Sequence, residues 1–145
     1  MGDIFKRESA TNPEPFTGER LTSALDGQTQ IEHYHRYLFA RSLCAGLDVL
    51  DVASGEGYGS AQLAQVARSV IGVEYYVSTV RSAAVILKGT NLRYVLGVAR
   101  SLPLADVSLV AIVSVGTIAH FAGRKTSWWE VWRAVRPAGH GVPSP

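Results

Sequence analysis

The sequence has little cysteine, little charge of either sign and no long apolar run. Its 145 residues include one cysteine, Cys44, which excludes an internal disulfide and a cysteine-based zinc cluster. The net charge of +2 is scattered along the chain and gives no indication of nucleic acid as a partner. The longest apolar stretch, Val107 to Val115, is far shorter than the roughly 20 residues of a membrane-spanning helix. We therefore expect a soluble, cytoplasmic domain without membrane or nucleic-acid partners.

The composition also excludes a disordered chain and offers no metal site. Apolar residues make up 47% of the sequence and charged residues 18%, and 145 residues are enough to bury a core. The four histidines show none of the spacings that metal ligands adopt, so we expect no metal.

Strand and helix patterns alternate through most of the chain. We expect an irregular leader over residues 1–29, a core over 30–139 and a disordered tail over 140–145. Ile31, Tyr34 and Leu38 recur at helical spacing in the first predicted helix, which runs from Gln30 to Cys44. Further helices are predicted at 60–68, 77–87 and 126–135, and strands at 47–52, 69–73, 91–96 and 107–115. This alternation indicates an α/β fold with a parallel sheet.

The turn after the first strand is the most informative segment. Asp51 lies in the apolar strand, and Gly55, Gly57 and Gly59 follow at alternate positions before a helix. Such glycines permit a sharp turn and close approach of a ligand, and the helix beyond them offers unpaired N–H groups. Glu74 stands nineteen residues after Gly55 at the end of the second strand, where a carboxylate accepts hydrogen bonds from a nucleotide ribose. For the three glycines, the alternative is a tight turn without a ligand. For Glu74, the alternative is a surface acid at the end of a strand.

Two nucleotide cofactors fit this arrangement. A dinucleotide fingerprint requires a third glycine or alanine at position 60, where the sequence has Ser60. The observed spacing, with Asp51 four residues before Gly55, resembles motif I of class I S-adenosylmethionine-dependent methyltransferases. The similarity runs from Phe16 to Gly139 and corresponds to the amino-terminal two-thirds of that family, in particular its bacterial small-molecule and glycan-associated members.

The resemblance implies a Rossmann-like fold and S-adenosylmethionine as the cofactor. The residues it assigns to the cofactor are Asp51, Gly55, Gly57, Gly59, Glu74, Tyr75 and Ala99. Asp51 would support the turn and the cofactor's amino group, while Gly55 and Gly57 would admit its methionine part. Glu74 would bind the ribose.

The same resemblance implies adenine and carboxylate contacts. Tyr75 would lie against the adenine, and the backbone N–H of Ala99 would reach one of its ring nitrogens. Arg36 or Tyr37, from the leader helix, would close over the methionine carboxylate. The acceptor would be a small molecule, and His120 is the candidate general base if the acceptor is a hydroxyl. An unpartnered loop histidine is the alternative for His120.

The chain departs from the family pattern in residues and in length. Val98 replaces an acid that would face the adenine amino group, and Gly116 and Ala119 replace two acids before His120. Prolines in the tail indicate that no strand follows, so the sheet would contain strands 1–4 of the usual seven. The fourth strand would then be an exposed apolar edge prone to self-association. A truncated, non-catalytic remnant that binds the cofactor weakly or serves as an interaction module is the second hypothesis.

Cys44 and the tryptophans have structural interpretations. We expect Cys44 to be a buried apolar residue and not a nucleophile. Trp128, Trp129 and Trp132 lie at helical spacing, which predicts that these side chains pack on the sheet and do not form a ligand cage.

Overall fold

The computed structural model of the chain describes residues 27–106, 109–115 and 124–143. The strands are β1 Asp48–Val52, β2 Ser69–Glu74, β3 Leu92–Leu96, β4 Leu109–Ser114 and β5 Val135–Pro143. The helices are α1 Gly27–Cys44, α2 Tyr58–Ala64, α3 Val77–Ile86 and α4 Arg124–Ala134. The α/β architecture predicted from the alternation is confirmed. Residues 1–26, most of the expected leader, lie outside the described residues.

All neighbouring strands pair in parallel, in the order β3-β2-β1-β4-β5. Because β1 is the first strand in the chain and lies in the middle, the chain moves outward to β2 and β3 and then returns to β4. The strand order therefore reverses between β1 and β4. Ligands of open α/β sheets bind at such a point, beyond the carboxyl ends of the strands.

The outer strand β5 corrects two expectations about the end of the chain. Residues 140–143 pair with β4 and do not form a disordered tail, so β4 has a partner on each side. The register explains how Pro137 is accommodated: Leu109 pairs with Val135 and Ala111 with His140, so residues 136–139 stand opposite one residue of β4 and three of them are additional. Pro143 is the last residue of the outer strand and stands opposite Ser114. Proline lacks the N–H that a central ladder needs, but it is tolerated at irregularities and on outer strands. Self-association through an exposed fourth strand therefore loses its structural basis.

Helix α1 packs through a different stripe from the one that its apolar spacing predicted. Its buried residues are His33, Tyr37, Ala40 and Cys44. Ile31, Tyr34 and Leu38 lie on the exposed side. Periodicity identified the helix correctly, but a helix with apolar residues on several sides does not reveal which side faces the sheet.

The sheet is covered on both faces by apolar side chains. One cluster joins α1 and α2 to the sheet and includes Cys44, Val49, Leu63, Val70 and Val113. The other cluster includes Leu50, Val52 and Val73 of the sheet, Leu102 of the loop after β3 and Val131 of α4. Leu50 and Leu63 are fully buried, so replacing either by alanine should cost about 2–5 kcal/mol of stability.

Cys44 is buried as predicted, whereas the tryptophan prediction is wrong for two of the three residues. Burial raises the pKa of the Cys44 thiol to about 11, which leaves it an unreactive thiol at neutral pH. Trp129 and Trp132 are 73% and 75% exposed, so they do not pack on the sheet. Val131 and Ala134 carry the packing of α4 instead. The Trp128 side chain falls outside the described residues.

Candidate functional site

The turn between β1 and α2 adopts a left-handed backbone at three positions. Ala53, Gly55 and Gly57 have φ angles of 59°, 56° and 87°. Glycine takes such angles without the steric cost that a side chain brings, which accounts for the glycines at 55 and 57. The N–H of Ser54 donates to the Val73 carbonyl at 3.0 Å, which ties the start of the turn to β2.

Glu74 fastens the turn to the end of β2. One oxygen of its carboxylate, Oε2, accepts the backbone N–H of Gly55 at 2.9 Å. The other, Oε1, accepts the N–H groups of Tyr75 at 2.9 Å and of Tyr76 at 3.2 Å. The Glu74 side chain is buried, and it is not the surface acid that was the alternative interpretation. A carboxylate held by three N–H donors has a fixed orientation at the carboxyl end of the sheet.

Asp51 lies fully buried beneath the same turn. The Tyr37 hydroxyl of α1 is 3.1 Å from each of its two oxygens, and the Ser60 hydroxyl of α2 donates to Oδ2 at 2.7 Å. Burial raises the pKa of Asp51 to about 7, although both hydrogen bonds favour the charged form. The nearby Glu74 charge raises it further. Asp51 thus changes charge near neutral pH.

Tyrosines explain two of the glycines by packing. A Cβ on Gly57 would lie 2.6 Å from Cε1 of Tyr94, and the Tyr94 hydroxyl donates to the Gly57 carbonyl at 2.9 Å. A Cβ on Gly59 would overlap the ring of Tyr37. Gly57 and Gly59 therefore have reasons to be glycine that involve the protein alone. Among the three glycines, Gly55 is therefore the one for which close approach of a ligand remains the clearest explanation.

The loop after β3 is held by a pair of α4 residues that the sequence analysis did not single out. The carboxylate of Glu130 accepts the Leu102 N–H at 2.9 Å, and Arg133 donates to the carbonyls of Leu102 and Leu104 at 3.2 and 2.8 Å. Arg133 also binds Glu130 at 2.9 Å and Asp106 at 2.5 Å. The hydrogen bond from Arg133 lowers the pKa of Glu130. The three-residue spacing of Glu130 and Arg133 on a helix was the available signal, but it does not identify the loop they bind.

The structure places Tyr75, Ala99 and Tyr37 in three different environments. Tyr75 is 63% exposed beside Glu74, while Ala99 is buried in the turn that Val98 and Ser101 close. Tyr37 is buried with its hydroxyl on Asp51, so it does not close over a ligand as one of the two predicted alternatives had it. His120 lies outside the described residues, and so do Gly116 and Ala119.

Among the residues that the structure describes, two buried hydroxyls at the carboxyl ends of neighbouring strands have no hydrogen-bond partner. These are the side-chain oxygens of Ser54, in the turn after β1, and Ser114, the last residue of β4. They flank the point at which the strand order reverses. Unpaired buried oxygens are uncommon in proteins.

Within the described ranges, no group of three His, Cys, Asp or Glu side chains has the geometry to hold a metal ion. The same residues include no helix that is long and apolar enough to span a membrane.

Comparison with known proteins identifies the family. A methyltransferase domain family matches residues 50–142, which include the turn, Glu74 and β5. The chain belongs to this methyltransferase domain family. The resemblance predicted from motif I is confirmed.

Relatives and solved structures agree with this assignment. A probable S-adenosylmethionine-dependent methyltransferase of Mycolicibacterium smegmatis is 35% identical over 86% of this chain and 49% of its own length. One of Mycobacterium tuberculosis is 32% identical over 95% of this chain and 51% of its own length. The YcgJ protein of Bacillus subtilis matches with a TM-score of 0.69 and 25% identity, over 75% of this chain and 49% of that protein. The chain thus spans about half the length of the curated relatives it matches.

Proposed function

We propose that this chain binds S-adenosylmethionine and forms the cofactor-binding part of a methyltransferase for a small-molecule or glycan-type acceptor. The observation that carries the proposal is the Glu74 carboxylate fixed against the N–H of Gly55 at the carboxyl ends of β2 and β1, next to the point where the strand order reverses. The names of the relatives, which specify S-adenosylmethionine dependence, support the choice of cofactor. The cytoplasm is the proposed location.

Each described residue has a role that follows from its position. Glu74 would bind the ribose through the acceptor site that remains on Oε2 of its carboxylate. Tyr75, exposed next to it, would provide an aromatic surface for the adenine. The buried turn around Ala99 would bound the other side of the ring. Gly55 would leave space for the methionine part at the start of the turn.

The chemistry requires little of the protein beyond alignment. The bound cofactor supplies a methyl group that is already activated on a sulfonium. The residues at the strand ends would hold that methyl group in line with the acceptor and exclude water. His120 is proposed as the group that takes a proton from a hydroxyl acceptor.

Titration calorimetry with S-adenosylmethionine, S-adenosylhomocysteine and NAD tests the proposal. We expect both sulfur nucleosides to bind and NAD not to bind, because Ser60 stands where a dinucleotide fingerprint has its third small residue. Its hydroxyl is engaged by Asp51 in the structure. Binding of NAD alone would overturn the proposal.

A non-catalytic module that binds the cofactor weakly is the second candidate. The replacement of family acids by Val98, Gly116 and Ala119 favours it. Cofactor binding without methyl transfer to any acceptor in a broad panel would favour this candidate over the first.

A further inference from the structure

Three elements of the fold meet at one buried carboxylate. Asp51 comes from β1, its partner Ser60 from α2 and its partner Tyr37 from α1. Tyr37 is fourteen residues before Asp51, and its ring covers the space above Gly59. The phenol is therefore placed by helix packing, and its hydroxyl reaches the carboxylate from outside the turn.

The hydroxyl of Tyr37 affects the charge of Asp51. A hydrogen bond donated to a carboxylate stabilises the ionised form, and this effect opposes the loss of hydration in the interior. Ser60 acts in the same direction. Since both oxygens of Asp51 are engaged by Tyr37, removal of this one hydroxyl would favour the neutral acid.

We propose that Tyr37 is a positioning residue for the cofactor, which favours the ionised form of Asp51 beneath the glycine turn and so couples the docking of α1 to the affinity for a cationic nucleoside. The proposal rests on the proposed function, because it takes S-adenosylmethionine to be the ligand. At neutral pH this ligand carries a sulfonium, an ammonium and a carboxylate, and its demethylated product lacks the sulfonium charge. A buried negative charge attracts S-adenosylmethionine more strongly than the demethylated product.

The groups around Asp51 determine how binding depends on pH. Tyr37 and Cys44 face it from α1, Ser60 from α2, Glu74 from β2 and Tyr94 from β3. On β4 the residue in register with Asp51 is the apolar Val113. Burial raises the pKa of Tyr37, Cys44 and Tyr94, so all three stay neutral near pH 7. Burial raises the pKa of Asp51 to about 7, so Asp51 titrates within the range of the test.

The test is calorimetry on the full chain from about pH 6 to about pH 8.5. Tyr37→Phe removes only the hydroxyl and keeps the ring over Gly59. Tyr34→Phe is the matched control, since it removes a hydroxyl from an exposed position on the same helix. In the wild type we expect affinity for S-adenosylmethionine to rise as Asp51 ionises.

Tyr37→Phe should move this rise to higher pH. At neutral pH it should weaken binding of S-adenosylmethionine about tenfold, as expected for a lost hydrogen bond to a charged group. Binding of S-adenosylhomocysteine should fall by a smaller factor. A purely structural role for Tyr37 would weaken both ligands equally and leave the pH profile in place. Asp51→Asn should abolish the pH dependence.

The possible results separate the two proposals. No binding of either sulfur nucleoside by the wild type would overturn the proposed function and this inference with it. Wild-type binding with the same pH profile in Tyr37→Phe would overturn only the role of Tyr37. If Tyr37→Phe does not fold, Ser60→Ala provides a second test, because it removes the other hydrogen-bond donor to Asp51. The pH profile of S-adenosylmethionine binding should then shift to higher pH. An unshifted profile in Ser60→Ala would also count against the proposal.

Discussion

Glu74 and Gly55 are joined by a hydrogen bond of 2.9 Å although nineteen residues separate them in the sequence. The bond connects the end of β2 to the turn that follows β1. The same carboxylate also accepts the N–H groups of Tyr75 and Tyr76. A residue assigned to ligand binding therefore also organises the backbone of its own site.

Substitutions at Glu74 should separate these two roles. Glu74→Gln removes the charge that attracts the ribose hydroxyls, and its one oxygen can keep only one side of the backbone contacts, because the amide NH2 then faces the N–H donors of the other side. We expect about tenfold weaker binding of S-adenosylmethionine, with a loss of stability smaller than that of Glu74→Ala. Glu74→Ala leaves the three N–H groups without their acceptor and should lower both affinity and the free energy of unfolding. Calorimetry and urea unfolding measure the two effects, and unchanged affinity in Glu74→Gln would contradict the ribose assignment.

Gly57→Ala should destabilise the protein even without a ligand. The new Cβ would lie 2.6 Å from the Tyr94 ring, on a backbone with φ of 87°. Gly46→Ala is the matched control, because φ there is 71° and no atom lies within 4 Å of the added Cβ. Backbone strain alone should cost about 1–2 kcal/mol at Gly46, and the overlap should add about 1–3 kcal/mol at Gly57. Equal losses in urea unfolding would show that Tyr94 moves aside.

Asp51 should make stability depend on pH in an unusual direction for an acid. Its pKa of about 7 in the folded chain exceeds the value of about 3.9 in an unfolded one. Between these values the folded protein binds more protons than the unfolded chain, so this contribution to stability falls as pH rises from about 4 to about 7. The change amounts to roughly 4 kcal/mol at most. The unfolding free energy of the wild type, minus that of Asp51→Asn, should decline over this range; a constant difference would contradict the raised pKa.

Arg133→Lys should loosen the loop after β3. A lysine cannot reproduce the forked contacts of Arg133 with the carbonyls of Leu102 and Leu104 and the carboxylate of Glu130. We expect hydrogen exchange of the Ser101 and Leu102 amides to accelerate about tenfold or more, with α2 unaffected. Arg68→Lys, which alters the exposed pair with Asp48, is the control. Unchanged exchange at both amides would show that the pair does not hold the loop.

The sequence predicted the four helices and the strands β1 to β4, and it singled out the glycine turn and Glu74, which the structure brings into contact. Largely apolar runs bounded by glycine identified β1 to β4, because the inner strands of a parallel sheet bury most of their side chains. The glycine turn and Glu74 were found by spacing, since local backbone geometry and a short crossover fix which strand ends are adjacent. The buried state of Cys44 followed from residue type. These features depend on neighbours that are close in the chain or on a simple topological rule.

Contacts between distant segments were decided by the tertiary structure. The sequence could not show that Tyr37 would reach Asp51, that α1 would expose Ile31, Tyr34 and Leu38, or that Arg133 would hold the loop after β3. Nor did it show that β5 would accommodate Pro137 through an irregular register, because that depends on the partner strand. The amino acids determined which segments form strands and where the turn lies. The packing of those segments determined which side chains share a buried space, and hence the charge of Asp51, because burial and hydrogen bonding depend on neighbours from four different elements.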